Sequence, residues 1–401
     1  MNSIKTFWKP FVGLAFCLVY PSIAIFKKVG YWPIVLYLFI AFCLMLSILW
    51  VLSRMKKYLT SKTCLLGLLV MFVSMLVAYV VIHPHIDTDG FRLAGINFGS
   101  SDADDAIDVA ISECMEGRYP YYAKTFLGNP ITPMPGALLL ALPFYYFGDS
   151  AIQNIFWLAI FFTIIGVYHR SVLIPSILAL FVFCISPNVI YQVFQGGDYI
   201  SNAIYVLTFC VLLLESVRLR RPFWHSMLWA LLLGIGLSSR MNFGIIIPLV
   251  FFNLMKASSV KEAFILLAIT FVSFCSITVP FFLYDPTGFS PLHTANKLSM
   301  NGGYRYAPLV LPVIAGILSV VLAMRCKIYL LSVFMRDVAV VQIVLMVGGL
   351  ILASLSAGTL NLNYPHFGIL FLFFGVFAFG PATLIESGVL KNKLHATLVV
   401  E

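Results

Sequence analysis

The chain has 401 residues, 61% of them hydrophobic and 10% charged, with a mean hydropathy of +0.99 and a formal net charge of +9. Apolar runs of bilayer-crossing length recur from end to end without the polar alternation of barrel strands, which excludes a soluble globular domain and leaves an all-α polytopic membrane protein. The basic excess does not indicate nucleic-acid binding, because the cations alternate with the apolar runs instead of gathering in one patch.

In chain order the predicted spans are 10–26, 31–52, 63–83, 151–168, 172–191, 199–216, 224–239, 241–255, 262–283, 306–324, 338–356 and 365–384. The opening "MNSIKTFWKPFVGLAFCLVY" has the basic front and apolar run of a secretory signal but no small-x-small cleavage site, so it reads as a retained first helix. With a cytoplasmic N-terminus, seventeen of the twenty-five Lys and Arg fall inside, among them Arg54, Lys56, Arg170, Arg218, Arg220, Arg221 and Arg325. The positive-inside rule then gives twelve crossings with both ends cytoplasmic, the expected setting being a bacterial inner membrane. "PGALLLALPFYYFG" at 135–148 is too short to cross and contains two prolines. Counting it would move Arg170 and Arg218 outside, so it is expected to be a juxtamembrane or re-entrant helix. The eight cysteines form neither a disulfide framework nor a zinc spacing.

Acidic residues show the opposite bias, with eleven of sixteen outside, and seven of these fall from Asp87 to Glu113. The outer loop 84–133 is the one connection long enough to be a small structure, and its varied composition argues for order. Within it Ala103, Ile107, Ala110, Ile111 and Cys114 share one helical face, and Asp104, Asp105, Asp108, Ser112 and Glu116 share the other. Ser101 and Asp104 have capping-box spacing, and Gly117 followed by Pro120 provides a stop. The expectation is an amphipathic helix lying on the outer membrane surface with its acids facing water. First-turn aspartates also complement the helix dipole, typically by a few tenths to about 1 kcal/mol each, so a purely structural role stays open for any one of them.

Asp104 followed by "DAID", then "VAISECMEGRYPYY", then "TPMPGALLLALPFYYFGDSAIQNIFW" resembles the GT-C superfamily of polyprenyl-phosphate-sugar-dependent membrane glycosyltransferases. "SPNVIYQVFQGGDYISNAIYVL" at 186–207, "ALLLGIGLSSRMNFGIIIPLVFF" at 230–252 and "VPFFLYDPTGFSPLHTANKL" at 279–298 continue the resemblance in the family's order. Two departures stand out. Two additional spans precede the one that leads into the acidic loop, and Asp108 stands where relatives usually have an aromatic residue. The resemblance implies three segments: an additional N-terminal hairpin over 1–62, a catalytic membrane module over 63–300, and C-terminal helices over 301–401. It also places the superfamily's catalytic aspartate at Asp104, with Asp105 next in line.

Transfer of a sugar from a phosphate-linked donor needs a carboxylate to accept the acceptor's hydroxyl proton and a cation to stabilise the departing phosphate. For the cation the sequence offers Arg240 in "SSRMNF", followed by Lys124, His293 and Arg305, although a snorkelling interfacial arginine would look the same. Asp198 in "QGGDYIS" is a candidate to orient substrate, or simply a helix cap, and its two glycines allow a close backbone approach. Asp87 and Asp89 are candidates for orienting substrate or, if a divalent cation is used, for holding it; Tyr121 can stack on a sugar or belong to an interfacial belt. The expected partners are a polyprenyl-phosphate-linked sugar, a glycan, lipid or protein acceptor, and the bilayer, with no nucleic acid. The competing readings are a flippase for lipid-linked sugars, a lipid-linked glycan polymerase or ligase, and a non-catalytic assembly subunit. The flippase reading predicts ionisable groups within spans, and few are visible.

Overall fold

The computed structural model describes residues 2–28, 30–89, 92–93, 96–97, 101–292, 307–325 and 328–390. Apart from a two-residue ladder pairing β1 (Arg92–Leu93) with β2 (Ile96–Asn97), its regular structure is helical. Among the described residues, eight helices are long and apolar enough to cross a bilayer, or nine if one sharply bent pair counts as a single span. Four further apolar helices are shorter.

The chain opens with α1 (Asn2–Val19), α2 (Tyr31–Arg54) and α3 (Ser61–Asp89). Only 11% of the apolar window of α3 is buried by protein, because Leu65, Leu69, Val73, Val77 and Val80 present an all-round hydrophobic surface suited to lipid. At the other extreme, α9 (Tyr199–Arg218) is 89% buried. It carries Ser201, Asn202 and Ser216, buried polar side chains with hydrogen-bond partners inside the bundle that a lipid-facing helix would lack. Around α9 pack α6 (Gln153–Tyr168), α10 (Phe223–Leu237), α11 (Ile247–Ala257) and α15 (Ile369–Glu386). α12 (Val260–Tyr284), α13 (Ala307–Arg325) and α14 (Leu331–Ala357) complete the bundle. One hydrophobic core runs from Phe11 to Leu390, and α1 packs on α15, so the first and last segments share that core.

The expected span at 172–191 is broken. α7 (Leu173–Ile185) and α8 (Pro187–Gln195) meet at Ser186 with an 83° bend. Pro187 disfavours helical backbone at the residue before it and lacks the N–H that would continue the ladder, but it is well suited to starting a new helix. Ser22 secures the corner, with its Oγ 3.3 Å from Ser186 Oγ and accepting from Asn188 N at 3.2 Å. α8 then ends at Gly196, whose left-handed φ of +75° turns the chain into α9.

The 135–148 stretch forms α5 (Pro135–Tyr146), twelve residues and therefore about 18 Å long, as expected of a non-spanning helix. Its first turn docks on the end of α10: Gly136 N donates to Ser238 O at 2.9 Å, and a Cβ on Gly136 would lie 2.8 Å from that oxygen.

The outer loop is ordered over 101–134, but its helix α4 (Asp105–Met115) does not lie on lipid. Ile107, Ala110 and Ile111 pack instead against Tyr121, Ile131, Leu138 and Phe289 in a small core of their own. The apolar stripe was periodic as expected; what covers it is α5 and the loop around 289. Nor does the capping box form, because Ser101 Oγ accepts from Ala103 N at 3.3 Å and Asp104 takes the N-cap position without a side-chain cap bond. Tyr119 donates to Phe281 O at 2.8 Å and stacks on Tyr284, fastening the loop to the end of α12.

The α5 docking makes Gly136→Val a sharp test. It should destabilise the protein by about 1–3 kcal/mol through overpacking, seen as a lower unfolding temperature in detergent. Gly67→Val, on a part of lipid-facing α3 where a Cβ meets nothing within 4 Å, should leave that temperature unchanged.

Candidate functional site

The end of α3, the start of α4 and the cap of the short 3-10 turn Ser150–Ile152 that leads into α6 bring together His83, Asp104 and Asp149, one potential ligand atom from each lying within 4.8 Å of the others. Each arrives for a local reason. Tyr79 and His83 are one turn apart on α3, their rings stacked at 4.6 Å, and Tyr79 donates to Asp149 Oδ2. Asp149 is placed by its cap bond, accepting from Ala151 N at 2.8 Å. Asp104 is pressed into the cluster from behind by Gly196, where a Cβ would lie 2.6 Å from Asp104 Cβ and 2.7 Å from Ala151 Cβ. The close approach expected of the "QGGD" glycines is thus an approach to Asp104.

His83 Nδ1 donates to Phe194 O at 2.7 Å, which fixes the tautomer and turns Nε2 toward two carboxylate oxygens, 3.1 Å from Asp149 Oδ2 and 3.4 Å from Asp104 Oδ2. A bare nitrogen lone pair facing two anionic oxygens is repulsive, so a proton or a metal cation belongs between them. The set fits a metal in its donor chemistry, one imidazole and two carboxylates, and a ligating histidine usually gives its other N–H to a carbonyl as His83 does. A divalent ion held there would supply positive charge for an oxyanion or phosphate oxygen.

Burial works to raise the Asp149 carboxyl, but the hydrogen bonds from His83, Tyr79 and Ala151 outweigh it and hold the group below its usual range. Asp108, one turn beyond Asp104, behaves oppositely. Burial pushes its carboxyl up to about 6, with Asp149 adding to the rise and Ser150 opposing it, and its buried Oδ1 has no hydrogen-bond partner among the described residues.

Behind Gly196 and Gly197 lies a second polar group. Asp198 stands at the N-cap position of α9 but bonds no backbone N–H of that helix. Its Oδ1 accepts from Arg240 Nη2 and its Oδ2 from Asn202 Nδ2 at 2.8 Å. Arg240 also stacks on the Tyr199 ring at 4.5 Å. Burial disfavours its charge, but Asp198 more than compensates and holds it protonated. Both side chains are largely enclosed, Arg240 12% and Asp198 5% exposed. Arg240 is therefore a held, desolvated cation and not a snorkelling one. Its buried Nε has no partner among the described residues, nor has Oγ of the adjacent Ser239, nor have Gln192 Oε1 on α8, Gln153 Nε2 on α6 and Ser150 Oγ in the turn before α6. Such a concentration of unsatisfied polar atoms is the signature of a place where water or a ligand sits.

Other expected site residues lie elsewhere. Asp105 accepts from Phe126 N at 2.8 Å, and Asp102 from Asn129 Nδ2 at 2.8 Å and from Thr125, so both tie down the 122–130 turn. Tyr121 is buried in the loop core with its hydroxyl donating to Pro133 O at 3.2 Å, and Lys124 is exposed on the turn where it pairs with Pro130. Arg118 is engaged by Glu113 and Glu116 at the surface. The side chains of Asp87 and Asp89, and residues His293 and Arg305 entirely, lie outside the described residues.

Sequence reasoning did not select His83, Asp149 or Tyr79. A signal for His83 existed, since an ionisable residue near the end of an apolar span is a functional hint by default. Asp149 in "FGDS" was indistinguishable from an ordinary cap, which it also is.

Searches against protein-family models, curated proteins and solved structures return no match to this chain.

The raised Asp108 carboxyl gives a pH test. Between about pH 4 and 6 the native group keeps a proton that the unfolded chain releases, so wild-type stability should lose on the order of 1–2 kcal/mol across that window. Asp108→Asn should lack this loss, and unfolding temperatures of the two proteins measured against pH should diverge between about pH 4 and 6 and keep a constant gap above it.

Proposed function

We propose that the protein is a membrane glycosyltransferase that moves a sugar from a polyprenyl-phosphate donor to a hydroxyl acceptor. The observation that carries the reading is the corner at Gly196–Gly197, where the Asp104 side chain meets Gly196 two residues before Asp198, the partner of the buried Arg240, whose Nε has no partner among the described residues. The sequence resemblance assigns the base to this same aspartate.

In the proposed step the acceptor oxygen attacks the anomeric carbon and its proton passes to a carboxylate oxygen of Asp104. The bond from that carbon to the phosphate oxygen breaks, its electron pair leaving on the polyprenyl phosphate. Arg240 stabilises the phosphate as charge grows, drawing on donors now shared with Asp198. Asp149 and His83 are positioning residues that hold Asp104 in one orientation. A single displacement inverts the anomeric configuration. The charge bias of the loops favours an outer-face site with both termini in the cytoplasm, in a bacterial inner membrane.

A second reading, movement of lipid-linked sugars across the bilayer, draws support from the 83° break between α7 and α8, since discontinuous helices frame the sites of many transporters.

The two readings separate in reconstituted vesicles supplied with synthetic polyprenyl-phospho-sugars and a lipid extract, with donor followed by mass spectrometry. Transfer predicts donor consumption by wild type and a loss of at least about a hundredfold in Asp104→Asn, with donor binding retained. Arg240→Gln should weaken donor binding as well as turnover. Intact donor crossing the bilayer without consumption would sink the transferase reading and support the transporter.

A further inference from the structure

A crevice of about 490 Å³ opens at the far ends of α6 and α9 from the aspartate cluster, between their last turns and the start of α14. Since α6 has sixteen residues, the two places are separated by roughly 24 Å along that helix. Ile164, Val167 and Leu212 form apolar walls, and Arg170 and Arg218 lie at the polar end. Val167 is 72% exposed, so the walls continue onto the lipid-facing surface.

The backbone at Arg170 is unusual. Arg170 N bonds Val167 O at 3.2 Å and Ser171 N bonds Gly166 O at 3.0 Å, the helix-ending turn whose left-handed residue is ordinarily glycine. Arg170 occupies it at φ 48°, exposed, and forms no ion pair among the described residues. Arg218 is held beside it by Glu215, at 3.0 and 2.8 Å, and Glu215 in turn accepts from Tyr329 at 3.0 Å. The acid in the crevice is therefore already matched, which leaves Arg170 as excess positive charge. His169, also lining the crevice, is kept neutral by burial, its pKa pushed down to about 4, and its Nε2 has no partner among the described residues.

We propose that this crevice binds an anionic phospholipid of the surrounding bilayer, its acyl chain along Ile164, Val167 and Leu212 and its phosphate on Arg170. A soluble phosphate would use the arginine but leave the apolar walls wet, whereas a zwitterionic lipid would bring its own cation against the arginines. The site is independent of the glycosyl-transfer reading and stands or falls separately from it.

The test is native mass spectrometry of the full chain with equimolar phosphatidylglycerol and phosphatidylcholine. Wild type should retain phosphatidylglycerol roughly tenfold more tightly, the scale of one charge-assisted hydrogen bond. Arg170→Gly removes the cation while easing the backbone, and should bring the two lipids to near parity without loss of thermal stability. Arg220→Gly, the same left-handed helix-end substitution (φ 49°) on α9 but away from the crevice lining, should keep the wild-type preference. Should Arg170→Gly fold poorly, Val167→Trp, which fills the apolar wall, should lower binding of both lipids. The proposal is overturned if Arg170→Gly keeps the full preference, if Arg220→Gly loses as much, or if excess glycerol phosphate displaces the bound lipid.

Discussion

The arrangement at the polar end of the bundle depends on one steric constraint, the contact between the backbone of Gly196 and the Asp104 side chain. It exists because Pro187 breaks a would-be span and α8 runs crosswise until a left-handed glycine can turn the chain back. Everything on the far side of that turn, Asp198, Asn202 and through them Arg240, inherits its position from the same corner. Any side chain at 196 would push Asp104 away from His83 and disturb the start of α9 together.

Charge is tolerated here because it is matched. An unpaired carboxylate or guanidinium in this surrounding would be expensive, and removing one partner of a buried pair typically costs about 3–5 kcal/mol, since the other charge is stranded. Asp198 and Arg240 compensate each other, Tyr199 adds a ring face, and Asp104 and Asp149 share whatever cation His83 brings or replaces. The pairing is incomplete: Arg240 Nε and several amide and hydroxyl groups still lack partners among the described residues. That residue of unspent hydrogen-bonding capacity separates a candidate site from a structural salt bridge.

Much of the chain was legible from sequence, and the failures share a cause. The all-helical membrane character, the short α5, the helix in the 101–134 part of the outer loop and the close approach at Gly196, next to both Asp104 and the start of α9, follow from apolar run lengths, periodicity and turn residues. Periodicity says which face of α4 is apolar but not what covers it. Lipid and the side chains of α5 are equally apolar, and so the helix was expected on the membrane when it packs on protein. The orientation of Asp104 failed for the same reason: its face was read as wet and is enclosed. The break at Ser186–Pro187 was hidden because a proline one residue after a serine in an apolar run is compatible with either a kinked span or two helices. His83 was missed because its partners lie 21 and 66 residues away in sequence, beyond any local pattern.

The central claim is single-displacement sugar transfer at Asp104, and the anomeric configuration of the product tests it most directly. Wild-type protein incubated with a polyprenyl-phospho-sugar of defined anomer should yield a glycoside of the opposite anomer, read from the anomeric proton coupling by NMR. A product of retained configuration would contradict the account, since it requires a covalent sugar intermediate and a second displacement that this arrangement of Asp104 and Arg240 is not proposed to perform.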